Sequence, residues 1–159
     1  MNRFQKSTHP KTHVITMKGT LTLVLASIFT FQSWSLEIGS KVENFRLLDH
    51  HGKEHELHDY EDKKAIVFFV QGNGCPIVRN AMPRYNELAT SYKDEDIQFL
   101  SINSNLQDNR KSIHEEAIRF GYRTPILIDH TQMIGKSLGL VRTAEVFVLA
   151  PKTLSLIHI

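Results

Sequence analysis

The stretch AIVFFVQGNGCPIVRNAMPRYNELA, residues 65–89, changes character three times, and the order of the changes decides the fold. Ala65 to Val70 is an unbroken apolar run rich in Val, Ile and Phe, the pattern of a central strand covered on both faces. Gln71 to Gly74 is polar and carries two glycines, so the chain leaves the sheet there. Pro76 suits a first helical turn, and Ile77, Ala81, Tyr85, Leu88 and Ala89 follow at close to helical spacing in a helix expected over 76–92. Between loop and helix stands Cys75, the only cysteine of the 159 residues.

On either side strand and helix signals continue to alternate. Phe45 to Leu48 reads as a short strand, and DHHGKEHEL (Asp49 to Leu57) as a hairpin or strand-loop with Gly52 at its bend. Ile97 to Ile102 is the next strand. Asn109 to Phe120 is amphipathic, with Ile113, Ala117, Ile118 and Phe120 against Arg110, Lys111, Glu115, Glu116 and Arg119, and Gly121 suits its C-cap. PILID (Pro125 to Asp129) reads as a strand, Met133 to Leu138 as a short helix closed by Gly139, and EVFVLA (Glu145 to Ala150) as another strand. The expected class is α/β, a three-layer sandwich with a mixed, mainly parallel central sheet and helices on both faces.

In open α/β sheets ligands and reacting groups collect beyond the carboxyl ends of the strands, and Cys75 follows a strand while opening a helix. Free backbone N–H groups and the positive helix end favour a thiolate there, which lowers the thiol below its free value. Arg79, one turn on, adds positive charge. An inert buried cysteine is the commoner fate of a lone thiol, but a polar glycine loop is hard to bury.

The segment CPIVRNAMPRYNELA resembles the active-site helix of the thioredoxin superfamily: a cysteine at the helix start, Pro83 eight residues on, and Glu87, Leu88 and Ala89 closing the pattern. With FRLLDHHGKEHEL, AIVFFV and FGYRTPILIDHTQMIGKSLGLVRTAEVFVL in that order, residues 38–150 resemble the redoxin branch, of the alkyl hydroperoxide reductase and thiol-specific antioxidant type. The resemblance implies a thioredoxin-like fold and thiol chemistry, with Cys75 as nucleophile. It also implies departures. Val78 stands where thioredoxins carry the second cysteine of CxxC, so no internal thiol resolves a mixed disulfide. Gly72 stands where peroxiredoxins orient peroxide with Thr or Ser, and Phe69 where thioredoxins bury an acid. Thr143 and Ala144 fall in the loop that carries the superfamily's cis-proline, with Ala144 at the proline's place, so that bond is trans or the loop holds strain. Arg142 beside it could supply charge toward the thiolate or substrate. A copper chaperone of CxxxC type is excluded by Arg79 at its second cysteine.

The N-terminus reads differently. Lys11 and Lys18 precede the apolar run Gly19 to Phe31, and Ser33 and Ser35 offer small residues for cleavage, so residues 1–35 read as an export signal, with Met17 as an alternative start. The run is well short of the roughly 20 residues a bilayer span needs, so a cleaved signal and a periplasmic or secreted product are expected, with a lipid or membrane anchor as the alternative. The signal also carries four of the basic residues and no acid, which leaves 15 basic against 17 acidic residues in the remainder. That balance argues against nucleic acid as partner. An exported single cysteine cannot form an internal disulfide.

Two further features are open to over-reading. His50, His51, His55 and His58 crowd together with Glu54 and Glu56, and solvent-exposed polar positions explain them without a metal. At the C-terminus, Pro151 to Thr153 reads as a turn and Leu154 to Ile159 as a closing strand. The ending SLIHI also looks like translated adapter read-through, so the expectation is a frame cut short after about Thr153, without the superfamily's last helix.

The sequence therefore predicts an exported, thioredoxin-like redoxin. Cys75 attacks a disulfide or a peroxide, an external thiol reductant restores it, and no cofactor or metal is called for. The competing expectation is a redoxin fold kept as a non-catalytic binding or accessory module of a longer exported protein.

Overall fold

A computed structural model describes residues 37–158, so the expected export signal lies outside the described residues. The elements follow in the order β1 (Arg46–Leu48), β2 (Glu54–Glu56), a 3-10 turn (Leu57–Tyr60), β3 (Ala65–Val70), α1 (Pro76–Ser91), β4 (Ile97–Asn103), α2 (Arg110–Phe120), β5 (Ile126–Ile128), α3 (Met133–Ser137), β6 (Val146–Ala150) and β7 (Ser155–His158). The sequence-predicted elements are all present, with ends moved by a residue or so, the usual uncertainty of fraying termini.

A five-stranded sheet runs in the order β5-β4-β3-β6-β7. β3, β4 and β5 are parallel, whereas β6 is antiparallel to β3 and β7 to β6, so the sheet is mixed. β1 and β2 form a separate antiparallel hairpin, its bend made by Gly52 at φ +88°, a conformation that costs a residue with a Cβ.

β3 sits at the centre of the sheet and supplies both cores. Ile66, Phe68 and Val70 point to one face, where they pack with Val42, Phe45, Leu57, Leu138 and Leu156. Phe69 points to the other, against Val78, Met82 and Tyr85 of α1 and Ile113 and Ala117 of α2. A strand buried on both sides needs an unbroken apolar run, and AIVFFV provides it. Each fully buried side chain of this size contributes about 2 kcal/mol relative to exposure. α2 is closed at both ends as its sequence predicts: the Asn109 side chain accepts the Ser112 N–H, and Gly121 ends it at φ +66°.

The reading of the histidine turn as solvent-exposed requires correction, because His50 and His55 are both buried. Their surroundings explain why polar rings are tolerated inside. His55 Nε2 lies 2.9 Å from Asp49 Oδ2 and its other nitrogen meets the Tyr60 hydroxyl. Asp49 also accepts the His51 and Lys53 amides, at 2.8 and 2.9 Å. Buried polar groups persist where their hydrogen bonds are made inside the protein.

Candidate active site

β3 ends at Val70, and the loop Gln71 to Gly74 carries the chain over the sheet edge to Cys75, the N-cap of α1, with Pro76 in the first turn. Gly74 takes φ +75°, which aims its N–H at Glu116 Oε1 on α2, 3.1 Å away. Asn73 donates from its backbone to Asp108 Oδ2 at 3.0 Å and from its side chain to Ser112 Oγ at 3.2 Å. Below them Asn103 Nδ2 donates to both Gln71 Oε1 and Asp108 Oδ2, at 2.6 and 2.8 Å. The loop is polar, as its sequence predicts, but it is held from α2 and from the end of β4.

The facing loop comes from the start of β6. Its Ala144 N–H donates to Val70 O at 2.7 Å, and the Val70 N–H donates back to Glu145 O at 2.9 Å. There is no cis peptide bond among the described residues, and Ala144 instead takes φ +67°. Of the two outcomes expected for the missing proline, the structure has both: a trans bond and local strain, because alanine in the left-handed region costs roughly 1–2 kcal/mol. This conformation holds Thr143 over the thiol.

Cys75 Sγ and Thr143 Oγ1 are 3.1 Å apart. The Thr143 hydroxyl is the largest of the influences that draw the half-buried thiol below its ordinary value. The Val78 amide adds to it, burial opposes, and the Ile77 amide and Arg79 charge follow. Hydrogen bonds to a thiolate favour the charged form, so the main contributors are a hydroxyl and helix-start N–H groups.

Arg79 has a second engagement. Its Nε and Nη2 donate to the two Glu116 oxygens, each at 3.0 Å, and its guanidinium lies 4.1 Å over the Phe120 ring. Burial works to raise Glu116, but the Arg79 hydrogen bonds and the Gly74 amide outweigh it and hold the carboxyl below the usual range. Arg79 thus fastens α1 to α2 and reaches the thiol as a minor influence. Arg142 is exposed, and its backbone N–H shares Glu145 Oε2 with that of Val141. Arg142 lines a cleft of about 270 Å³ together with Gln71, Asn105, Lys136 and Thr143, and it is not among the leading influences on the thiol.

The replaced positions behave consistently. A Cβ on Gly72 would lie 2.7 Å from both Asn105 Nδ2 and Thr143 Cγ2, so the threonine of a peroxide pocket has no room unless both move. Phe69 is buried where thioredoxins hold an acid, and Val78 is fully buried against the sheet. Sequence reasoning brought Cys75, Arg79, Thr143 and Ala144 to one place, but it missed Glu116 and Asp108. Their only signal was a position on the polar face of α2 or just before it.

Residues 38–155 match the AhpC/TSA family. The thiol-disulfide oxidoreductase ResA of Geobacillus thermodenitrificans is 30% identical over 116 residues, which cover 73% of this chain and 64% of ResA. The ResA of Geobacillus kaustophilus is 32% identical over 111 residues, covering 70% and 62%. The chain thus spans just under two thirds of the length of these two relatives. Among solved structures, an uncharacterised conserved protein from Geobacillus kaustophilus superposes with a TM-score of 0.71 at 25% identity, covering 77% of this chain and 68% of that one. PrxQ of Xylella fastidiosa gives 0.67 at 17% identity, covering 77% and 84%, a likeness of fold alone. With its mixed sheet, its helix-start cysteine and a match over most of its length, this chain belongs to the AhpC/TSA family of thioredoxin-like redoxins.

Proposed function

We propose that this protein is an exported thiol-disulfide exchange protein with one working cysteine. The observation that carries the reading is the 3.1 Å contact between Cys75 Sγ and Thr143 Oγ1 at the open end of α1. The thiolate attacks one sulfur of a substrate disulfide; a Cys75–S bond forms, the substrate S–S bond breaks, and the second sulfur leaves as thiolate. An external thiolate then attacks the mixed disulfide, and Cys75 departs as thiolate, stabilised by Thr143 and the helix-start amides. Electrons pass only between sulfurs. Val78 explains the need for an outside thiol, and the cleft lined by Gln71, Asn105, Lys136, Arg142 and Thr143 offers the substrate a seat beside Thr143, which touches the sulfur.

Peroxide is the weaker substrate, because Gly72 replaces the orienting hydroxyl and a Cβ there collides with Asn105 and Thr143. A disulfide probe at neutral pH, followed by mass spectrometry of the intact chain, tests the reading. A single adduct on Cys75, removed by added thiol, is expected. A thiol that stays free under the disulfide probe and under a mild peroxide pulse would overturn it in favour of a non-catalytic module. Export, proposed from residues 1–35, is checked separately by fractionating cells that express the tagged full chain; retention in the cytoplasm sinks that part.

A further inference from the structure

Three imidazoles meet where the turn after β1 faces α2. The His50 and His51 rings lie tilted by 42° with centroids 3.9 Å apart, and the His114 ring of α2 lies 5.7 and 5.3 Å from them. One ring nitrogen from each falls within 4.8 Å of the others. With Arg110 and Lys111 they line a shallow pocket of about 330 Å³, and no carboxylate contributes to the lining. The redox chemistry of Cys75 uses none of these residues.

Three imidazoles usually point to zinc or copper, because neutral imidazole offers one lone pair to a metal. His50 has already used its own. Its Nδ1 accepts the Ile126 N–H at 3.1 Å while its backbone N–H donates to Ile126 O at 3.0 Å, so the ring is clamped to β5. Burial foremost, and then the neighbouring imidazoles, push His50 down to about 4 against the opposing pull of Asp49, so the ring is neutral at ordinary pH. A neutral ring that accepts at Nδ1 carries its proton on Nε2. His50 Nε2 therefore presents an N–H, not a lone pair, and it finds no hydrogen-bond partner among the described residues. A metal would have to strip that proton or break the Ile126 bond, beside two side-chain cations that repel it.

A negative ligand reverses each of those costs. His50 is more than nine-tenths buried and keeps one donor for the pocket, while His114 Nδ1 is buried without a partner. Arg110 has no carboxylate within ion-pair distance among the described residues. Lys111 is held only by an exposed 4.0 Å pair with Glu115, which costs little to release. We propose that this pocket binds a phosphate-class oxyanion, held by His50 Nε2–H, the imidazoles of His51 and His114, and the Arg110 and Lys111 side chains. Arginine and imidazole donors suit such a group because charge-assisted hydrogen bonds to its oxygens are short and strong.

The test is an NMR titration of the full chain that follows the histidine Cε1–H signals. Inorganic phosphate, O-phosphoserine and zinc chloride are added in separate samples. Saturable shifts of His50, His51 and His114 with either phosphate compound are expected, and the tighter of the two shows whether the natural ligand is free phosphate or a phosphate ester. His51→Ala and Arg110→Ala, both at exposed positions, should each weaken that binding about tenfold while leaving Cys75 alkylation unchanged. The proposal falls if neither phosphate compound gives saturable shifts, if the two variants bind as well as the parent, or if zinc engages all three histidines.

Discussion

The two loops that meet at Cys75 are held by different physics. The loop before the cysteine is tied by side chains: Glu116 and Asp108 accept the N–H groups of Gly74 and Asn73, and Glu116 also takes Arg79. The facing loop is tied by backbone, with Ala144 N–H on Val70 O and a left-handed φ at Ala144. The first arrangement fixes where the sulfur is; the second delivers Thr143, the foremost influence on how acidic it is, to which the amides of α1 add. Position and reactivity therefore come from separate parts of the chain and can be broken separately.

The largest effect comes from removing the sulfur, which both loops serve. Cys75→Ser should lower disulfide-exchange activity by more than about a thousandfold, since a serine hydroxyl at neutral pH is a far weaker nucleophile than a thiolate. Thermal unfolding of the variant should stay close to that of the parent. Residual exchange near the parent rate would move the chemistry elsewhere.

Next in size is the backbone tie. Putting the superfamily's proline back, as Ala144→Pro, should destabilise by about 3 kcal/mol, measured by denaturant unfolding. Proline fixes φ near −65° where Ala144 holds +67°, and it removes the N–H that Val70 O accepts at 2.7 Å. A stabilised variant would show that the loop readily takes up the family's arrangement.

The side-chain tie is weaker because it is partly wet. Glu116→Gln should cost about 1–3 kcal/mol, since Arg79 and the Gly74 amide lose their charged acceptor. The Glu116 carboxyl is lowered in the folded protein, so its contribution is fully present above the unfolded value of about 4.3 and disappears as pH falls through the lower folded value. Parent and variant should therefore differ at pH 7 and converge in acid. Equal stability at pH 7 would show that the Arg79–Glu116 pair does not hold α1 to α2.

The same contrast explains what the sequence disclosed. AIVFFV, the helix opened by Pro76 and the helix ended by Gly121 were legible because each is specified within a window of a few residues by apolar period or by a φ that only certain residues tolerate. Cys75 and Thr143 were located through the loops on which they lie. Glu116 and Asp108 were not, because their partners lie 42 and 35 residues away and a polar residue on an amphipathic helix looks solvated until its neighbour is known. His50 and His55 misled for the same reason: polarity predicted exposure, but the buried Asp49 engages His55 inside and the backbone of Ile126 engages one ring nitrogen of His50. Arg79 was read as a charge for the thiol, but most of that charge is spent on a carboxylate 37 residues on.

The smallest predicted effect is the one most specific to the chemistry. Thr143→Val keeps the shape of the side chain and deletes the hydroxyl that lies 3.1 Å from the sulfur. Because that hydroxyl is the foremost influence lowering the thiol, the midpoint of Cys75 alkylation against pH should rise. At pH 6 the alkylation rate should fall roughly fivefold, the worth of one hydrogen bond of about 1 kcal/mol. Well above the midpoint both proteins are fully ionised, so the hydroxyl's effect through ionisation vanishes there. A rate lowered equally at every pH would instead mean that Thr143 governs access to the sulfur, and the division between the positioning loop and the activating loop would then fail.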